Sequence, residues 1–281
     1  MLNRSKIQPI LQNDWVIGCF LLVIFLLANG YTYAWDDQHI EIPLLKSLID
    51  PSLYHGDYYV TSLKKNFTSF LYPILAKLIT IDQIPTTYLI LYLISRYFLF
   101  YWMYKLWLVI AKEKGAAIIC VLTIILLGRV EEFLYRTFSH QEFALAIVMA
   151  GFYYFYKERF LLAAVLLGVA ANFHALYSLF PMLYLLTFLA WEHKKFGWRT
   201  FLKSGFLFAI FSTPFLIWTV QRYLTASSSA VDANWLALYK IACPQNFTFL
   251  EIPLPDMLHN FSTSIKATDN YFLLFFMYIL N

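Results

Sequence analysis

Four ionisable residues lie close together just after the first apolar segment of the chain. Asp36, Asp37, His39 and Glu41 belong to the stretch Tyr33-Ala-Trp-Asp-Asp-Gln-His-Ile-Glu41. Adjacent carboxylates can deprotonate a hydroxyl group or hold a divalent cation. In a helix that begins here, Asp37 and Glu41 share a face, and Asp36 meets His39 one turn along. The alternative is a helix start whose acids complement the helix dipole, with Trp35 as an interfacial anchor.

Two polar loops carry further candidate binding residues. Asp57 ends the stretch Asp50-Pro-Ser-Leu-Tyr-His-Gly-Asp57, in which Asp-Pro and His-Gly-Asp are turn sequences. The loop 129–142 contains Glu132, Arg136 and His140. Arg136 is the residue best suited to a phosphate, since a guanidinium group offers paired donors in a fixed geometry. A solvated loop with local ion pairs is the alternative.

Two ionisable residues lie within or beside long apolar runs. Arg96 is about midway along the run 85–110, and His174 follows Asn172 at the end of another run. Ionisable groups at membrane depth are costly and usually face a polar cavity or a partner. A carboxylate that neutralises Arg96, and a buried Asn172–His174 pair, are the structural alternatives. The candidate substrate-binding residues are therefore His39, Asp57, Arg96, Glu132, Arg136, His140 and His174, with Asp36 and Asp37 as candidate catalytic residues.

Several common catalytic motifs are missing from the sequence. It contains no Gly-rich phosphate loop, no HExxH, no Cys-x-x-Cys pair and no G-x-S-x-G. Nucleotide hydrolysis, zinc proteolysis, thiol redox chemistry and esterase catalysis therefore lack support. The net charge of +4 is small and scattered, so nucleic acid is not an expected partner.

The composition predicts a chain that lies mostly in lipid. Hydrophobic residues make up 60% and charged residues 14% of the sequence, far from the values of a soluble domain. Apolar runs, measured against the roughly 20 residues that a span requires, predict membrane helices at 15–33, 85–110, 116–128, 142–156, 160–171, 175–191 and 204–220. We therefore expect an all-α polytopic bundle of about seven or eight spans, forming one integral-membrane domain over residues 1–281.

The segment 67–81 decides the predicted topology. It is apolar but short, and it carries Pro73 and Lys77. If it lies at the interface or re-enters, the basic clusters fall on the same side as the N-terminus, which the positive-inside rule places in the cytoplasm of an inner membrane. Three segments then lie outside, at 34–84, 129–141 and 223–270. The apolar run 271–280 has about half the length of a span, so we expect a missing C-terminal region.

This arrangement resembles the GT-C superfamily of membrane glycosyltransferases. A basic N-terminus, one span, a long first outer loop with an acidic pair and an aromatic-rich bundle are similar to it, and the stretches Trp35-Asp-Asp-Gln-His39 and Asp50-Pro-Ser-Leu-Tyr-His-Gly-Asp57 are similar to the first loop of bacterial GT-C-like proteins. The resemblance implies that Asp36 or Asp37 acts as base or metal ligand. It also implies a polyprenyl-phosphate sugar as donor, which enters from the membrane.

The expected function is transfer of a sugar from a polyprenyl-phosphate carrier to an extracytoplasmic acceptor. Membrane lipid and a lipid-linked sugar are the expected partners, and a divalent cation is the only cofactor that the acidic pair suggests. A transporter or flippase for a polar or lipid-linked substrate is the alternative, favoured by Arg96, Lys77 and His174 at membrane depth. A polymerase or membrane assembly subunit is a third.

Overall fold

Helices form all of the regular structure in the described part of the chain. The computed structural model describes residues 13–127 and 136–225, and these ranges contain no strand, which confirms the all-α prediction. In chain order the helices are α1 (Asp14–Asn29), α2 (Gln38–Ile49), α3 (Tyr58–Asn66), α4 (Leu71–Leu78), α5 (Ile84–Ala111), α6 (Lys114–Leu127), α7 (His140–Tyr156), α8 (Phe160–Ala171), α9 (Ala175–Trp191), α10 (His193–Phe196), α11 (Trp198–Phe211) and α12 (Thr213–Thr225). The chain divides into two compact units, 1–222 and 223–281, and helices α1 to α11 lie wholly in the first unit.

Six of the seven predicted apolar runs coincide with one helix each, namely α1, α5, α6, α7, α8 and α9. Within the described ranges, each helix taken alone is too short or too polar to cross a bilayer. Two bent pairs satisfy length and composition together: α4 with 81–111, bent by 115°, and α11 with Thr213–Arg222, bent by 70°. The predicted outer segment 223–270 begins in the last turn of α12 and otherwise lies outside the described residues.

The predicted helix 204–220 is wrong as a single element, because the chain breaks between α11 and α12. Pro214 has no N–H group and therefore cannot continue the helical ladder. The amide group of Asn172 takes over: its Nδ2 donates to the Phe211 carbonyl at 2.7 Å, and its Oδ1 accepts from the Phe215 N–H at 3.1 Å. The bend is thus held by a side chain from the end of α8.

Close packing of α8 against α11 brings Asn172 to this break. Gly168 lies one turn before Asn172, and a Cβ placed on it would meet the Phe208 carbonyl oxygen at 2.8 Å and the Phe211 Cβ at 2.9 Å. A larger residue at 168 would push the two helices apart, because interiors are close-packed. Glycine at this position therefore allows the contact that Asn172 needs.

Helix α5 is the central element and packs against α1, α6 and α7. Its side chains form an aromatic core with α1, in which the rings of Phe25 and Phe100 lie 5.0 Å apart. Arg96 is fully buried on α5, where Nη2 lies 3.3 Å from Oε1 of Glu142 on α7. A guanidinium group in the interior requires such a carboxylate. A neutralising carboxylate, the structural alternative for Arg96, is therefore the arrangement found.

Backbone contacts gather the loops that follow α1, precede α7 and follow α8 at one end of the bundle. The Thr32 N–H donates to the Arg136 carbonyl at 2.8 Å, and the Phe70 N–H donates to the Asn172 carbonyl at 3.0 Å. At the other end, Lys105 and Lys114 bind the carboxylate of Asp14 at 2.6 and 3.0 Å. We call the first the site end and the second the basic end. The short helix α4, which covers only part of the segment 67–81, begins at the site end.

Candidate functional site

The acidic pair lies at the start of α2, and its two members have different surroundings. Asp36 has a left-handed backbone (φ 54°), which Asp tolerates better than most residues, and it is exposed. Asp37 is half-buried and begins α2 without capping it through its side chain. Gln38 is buried, and its Nε2 donates to the Phe138 carbonyl at 2.8 Å, which fixes the start of α2 against the segment before α7.

A capping box at the start of α7 positions the opposite side of the site. The Glu142 carboxylate accepts from both the N–H and the hydroxyl of Ser139 at 2.8 Å, and Ser139 Oγ accepts from the Gln141 N–H. This reciprocal bonding fixes the first helical turn. His140 and Gln141 belong to that turn, so their side chains are held towards α2.

Glu41 and His140 form a buried pair. The carboxyl oxygen Oε1 of Glu41 lies 2.7 Å from Nδ1 of His140, and the side chains are 1% and 12% exposed. The Tyr72 hydroxyl of α4 lies 3.3 Å from the same nitrogen. The second oxygen of Glu41, Oε2, is buried without a hydrogen-bond partner among the described residues. The pair thus joins α2 to α7 beside Tyr72 of α4, and one oxygen of Glu41 is left buried and unpaired.

Asp37 is held by a chain of hydrogen bonds from α7 and α9. Gln141 Nε2 donates to Asp37 Oδ2 at 3.0 Å, and the Tyr177 hydroxyl donates to Gln141 Oε1 at 3.3 Å. No described residue donates to the other carboxylate oxygen, Oδ1. Because Asp37 and Glu41 both contact the first turn of α7, the prediction that they share a helix face is confirmed.

His174 completes the cluster. Its ring stacks on that of His140 with centroids 5.2 Å apart, and its Nδ1 accepts from the Tyr177 N–H at the start of α9. A histidine that accepts through Nδ1 carries its proton on Nε2 when neutral. His174 therefore both caps α9 and lies beside His140, rather than forming the predicted pair with Asn172, whose amide binds the α11–α12 break.

Burial sets the protonation of these groups. It raises the pKa of Glu41 to about 8, with the charges of Asp37 and Asp36 contributing, and lowers the pKa of His140 to about 4. Near neutral pH the pair therefore holds one proton as a carboxyl group that donates to Nδ1. Burial also lowers the pKa of His174 to about 4, aided by His140, and raises the pKa of Asp37, aided by Asp36. The pKa of Asp37 is thus raised within a cluster that contains two imidazoles, both neutral near pH 7.

The predicted site residues fall into three groups. Asp37, His140 and His174 converge, and we call these three with Glu41, Gln141 and Tyr177 the polar cluster. Asp36, His39, Asp57 and Arg136 are exposed; Asp57 caps α3, where its Oδ1 accepts from the Val60 N–H at 3.0 Å. Arg96 lies in the buried pair with Glu142, and Glu132 lies outside the described residues.

The sequence prediction did not include Gln141, Tyr72 or Tyr177 among the site residues. A signal for Gln141 was present in the spacing Ser139-x-x-Glu142, which is typical of a capping box and places the two intervening residues in a first helical turn. Tyr72 and Tyr177 gave no such signal, because each is one of 21 Tyr residues in apolar surroundings. Over the described residues, no three His, Cys, Asp or Glu side chains are arranged to hold a metal ion.

Comparison with protein-family models, with curated proteins and with solved structures finds no match to this chain.

Proposed function

We propose that the chain is an integral-membrane glycosyltransferase of the GT-C kind, in which Asp37 is the general base. The observation that carries this proposal is the setting of Asp37: a half-buried carboxylate, oriented through one oxygen by Gln141, with no described donor to the other oxygen. The elevated pKa of this carboxyl favours the role, because a stronger base accepts a proton more readily from a hydroxyl group.

The proposed reaction gives Asp37, Arg136 and Glu41 one role each. Asp37 Oδ1 takes the proton of the acceptor hydroxyl, whose oxygen forms a bond to the anomeric carbon of the donor sugar. The bond between that carbon and the phosphate oxygen breaks, and the polyprenyl phosphate leaves with the electron pair. Arg136, exposed at the site end, is the candidate cation for this phosphate. Glu41 is protonated and therefore does not add a third negative charge to those of Asp36 and Asp37.

Exposed apolar side chains support the membrane part of the proposal. Leu27, Ile119, Phe180, Leu202 and Phe206 are each more than 60% exposed, and they are distributed over four different helices. Exposed apolar surface distributed in this way is unusual in soluble monomers and is expected where lipid chains are the solvent.

The test compares two neighbouring carboxylates. The full chain in detergent is supplied with a polyprenyl-phosphate sugar and a hydroxyl acceptor, and product is measured for the wild type, Asp37→Asn and Asp36→Asn. Loss of a general base costs about 10²–10⁴-fold, so we expect that loss for Asp37→Asn alone. Asp36→Asn is the matched control, since its exposed side chain has no described hydrogen bond to the polar cluster and acts on Asp37 only through its charge, which should change the rate far less.

A proton-coupled transporter or flippase is the second candidate, and the buried Glu41–His140 pair favours it. A carboxyl group that holds a proton inside a helical bundle is typical of proton relays. Proteoliposomes discriminate between the candidates: a transporter moves substrate unchanged and stops moving it when Glu41→Gln removes the exchangeable proton. A transferase changes the substrate covalently, and Glu41→Gln leaves Asp37 in place.

A further inference from the structure

A notch at the basic end of the bundle has an exposed arginine in its wall. It has a volume of about 480 Å³ and lies between the turn that joins α7 to α8 and the start of α11, with Arg159 and Thr200 in its wall. The one acid in the wall, Glu158, is paired with Lys195 at 2.9 Å. Arg159 forms no ion pair with any residue in the described ranges, so its charge is available to an anion.

An apolar groove continues from this notch. It has a volume of about 440 Å³ and is lined by α5, α7 and α8, including Ile94, Phe98 and Trp102 of α5. Leu162 lines both cavities, so the notch and the groove are adjacent at this residue. From Ile94 to Trp102 the groove follows α5 for about 12 Å, taking 1.5 Å per residue. An elongated apolar chain whose charged end lies at Arg159 fits this shape.

The surroundings of the notch are those of a membrane interface. Trp191 is 83% and Trp198 53% exposed, and both lie beside the exposed basic residues Lys194 and Arg199. Exposed Trp side chains favour the level of lipid headgroups, and clustered Lys and Arg attract anionic lipids. The basic and aromatic side chains around the notch thus favour the same ligand as the two cavities do, namely an anionic headgroup attached to an apolar chain.

We propose that the notch and the groove together bind one anionic phospholipid, with the phosphate at Arg159 and an acyl chain along the groove past Leu162. This site is distinct from the polar cluster. Helix α8 separates Arg159 from Asn172 by about 20 Å along its axis, so the lipid is a bound partner and not the sugar donor. Binding at this site requires a lipid environment but does not depend on the transferase proposal.

The test measures lipid binding to the full chain. Delipidated protein in detergent is titrated with phosphatidylglycerol or phosphatidylcholine, and bound lipid is counted by native mass spectrometry. One phosphatidylglycerol should bind about fivefold more tightly than phosphatidylcholine, the preference expected from one basic side chain near a headgroup. Arg159→Gln should abolish the preference. Lys157→Gln, an exposed cation outside the notch wall, is the matched control and should retain it.

Two further arms identify the ligand. Ala150 lines the groove, so Ala150→Phe should weaken the binding of both lipids while the charge preference remains. Inorganic phosphate should not displace phosphatidylglycerol. The proposal is overturned if Arg159→Gln retains the preference, if Ala150→Phe binds both lipids as the wild type does, or if phosphate alone competes. Equal melting temperatures of the wild type and Arg159→Gln verify that the variant is folded.

Discussion

The buried Glu41–His140 pair makes the stability of the folded chain depend on pH in a specific way. Folded Glu41 retains its proton up to about pH 8, whereas an unfolded Glu loses it near pH 4.5. Between these values the folded state binds more protons, so the free energy of unfolding falls as pH rises. His140 and His174 act in the opposite direction between about pH 4 and 6.5, because in the folded state each lacks the proton that it binds in the unfolded state.

These effects predict a rise followed by a fall. From about pH 4.5 to 6.5 Glu41 offsets one of the two histidines and the other raises the free energy of unfolding, and above that range only Glu41 contributes. When the folded state binds one proton more than the unfolded state, the free energy of unfolding falls by about 1.4 kcal/mol per pH unit. The free energy of unfolding should therefore decrease by about 2 kcal/mol between pH 6.5 and 8. Glu41→Gln cannot titrate, so it should show no fall in this window and, below it, a steeper rise than the wild type that belongs to His140 and His174.

The assay is unfolding of the detergent-solubilised full chain at constant ionic strength between pH 4.5 and 8.5. Glu158→Gln is the control, because Glu158 is exposed and paired with an exposed Lys; it should follow the wild type within about 0.5 kcal/mol. A wild type that is as stable at pH 8 as at pH 6.5 would refute the role of the buried pair. The same fall in Glu41→Gln as in the wild type would refute it as well.

Three further substitutions test the packing that positions the site, each by the same unfolding assay. Gly168→Ala should lose about 1–3 kcal/mol by overpacking, whereas Gly205→Ala, whose nearest neighbour would be 3.9 Å away, should lose nothing; equal effects would contradict the close α8–α11 contact. Asn172→Ala should lose about 1–3 kcal/mol for each backbone group left unpaired at the break, and an unchanged stability would exclude that role. Arg96→Met and Glu142→Gln should each lose about 3–5 kcal/mol, and the double variant should lose less than their sum; additive losses would argue against a coupled pair.

Six of the seven apolar runs were sufficient to predict one helix each, because a long run of apolar residues favours one continuous helix. The break within 204–220 was not predicted, although Pro214 is visible in the sequence. A proline indicates where a helix is weak, but whether the chain bends there depends on a partner for the freed backbone groups. That partner, Asn172, lies 39 residues from the carbonyl that it binds, and no local pattern links the two.

The candidate site was predicted in part. The residues predicted to lie together are those whose relative positions follow from the spacing along one helix. The spacing of Asp37 and Glu41 placed both on one face of α2, and this face contacts α7. The sequence could not predict that Asp36 is exposed while Asp37 is half-buried, because this difference depends on the left-handed backbone at Asp36. Arg96 and His140 show the same limit: a buried ionisable residue requires a partner, but the identity of that partner depends on tertiary packing.

The most direct measurement of the central proposal is sugar transfer by the full chain, with Asp37→Asn and Asp36→Asn compared under identical conditions. We predict product from the wild type and from Asp36→Asn, and a loss of about 10²–10⁴-fold for Asp37→Asn, with all three proteins equally folded. Transfer by Asp37→Asn at the wild-type rate would contradict the assignment of Asp37 as the general base.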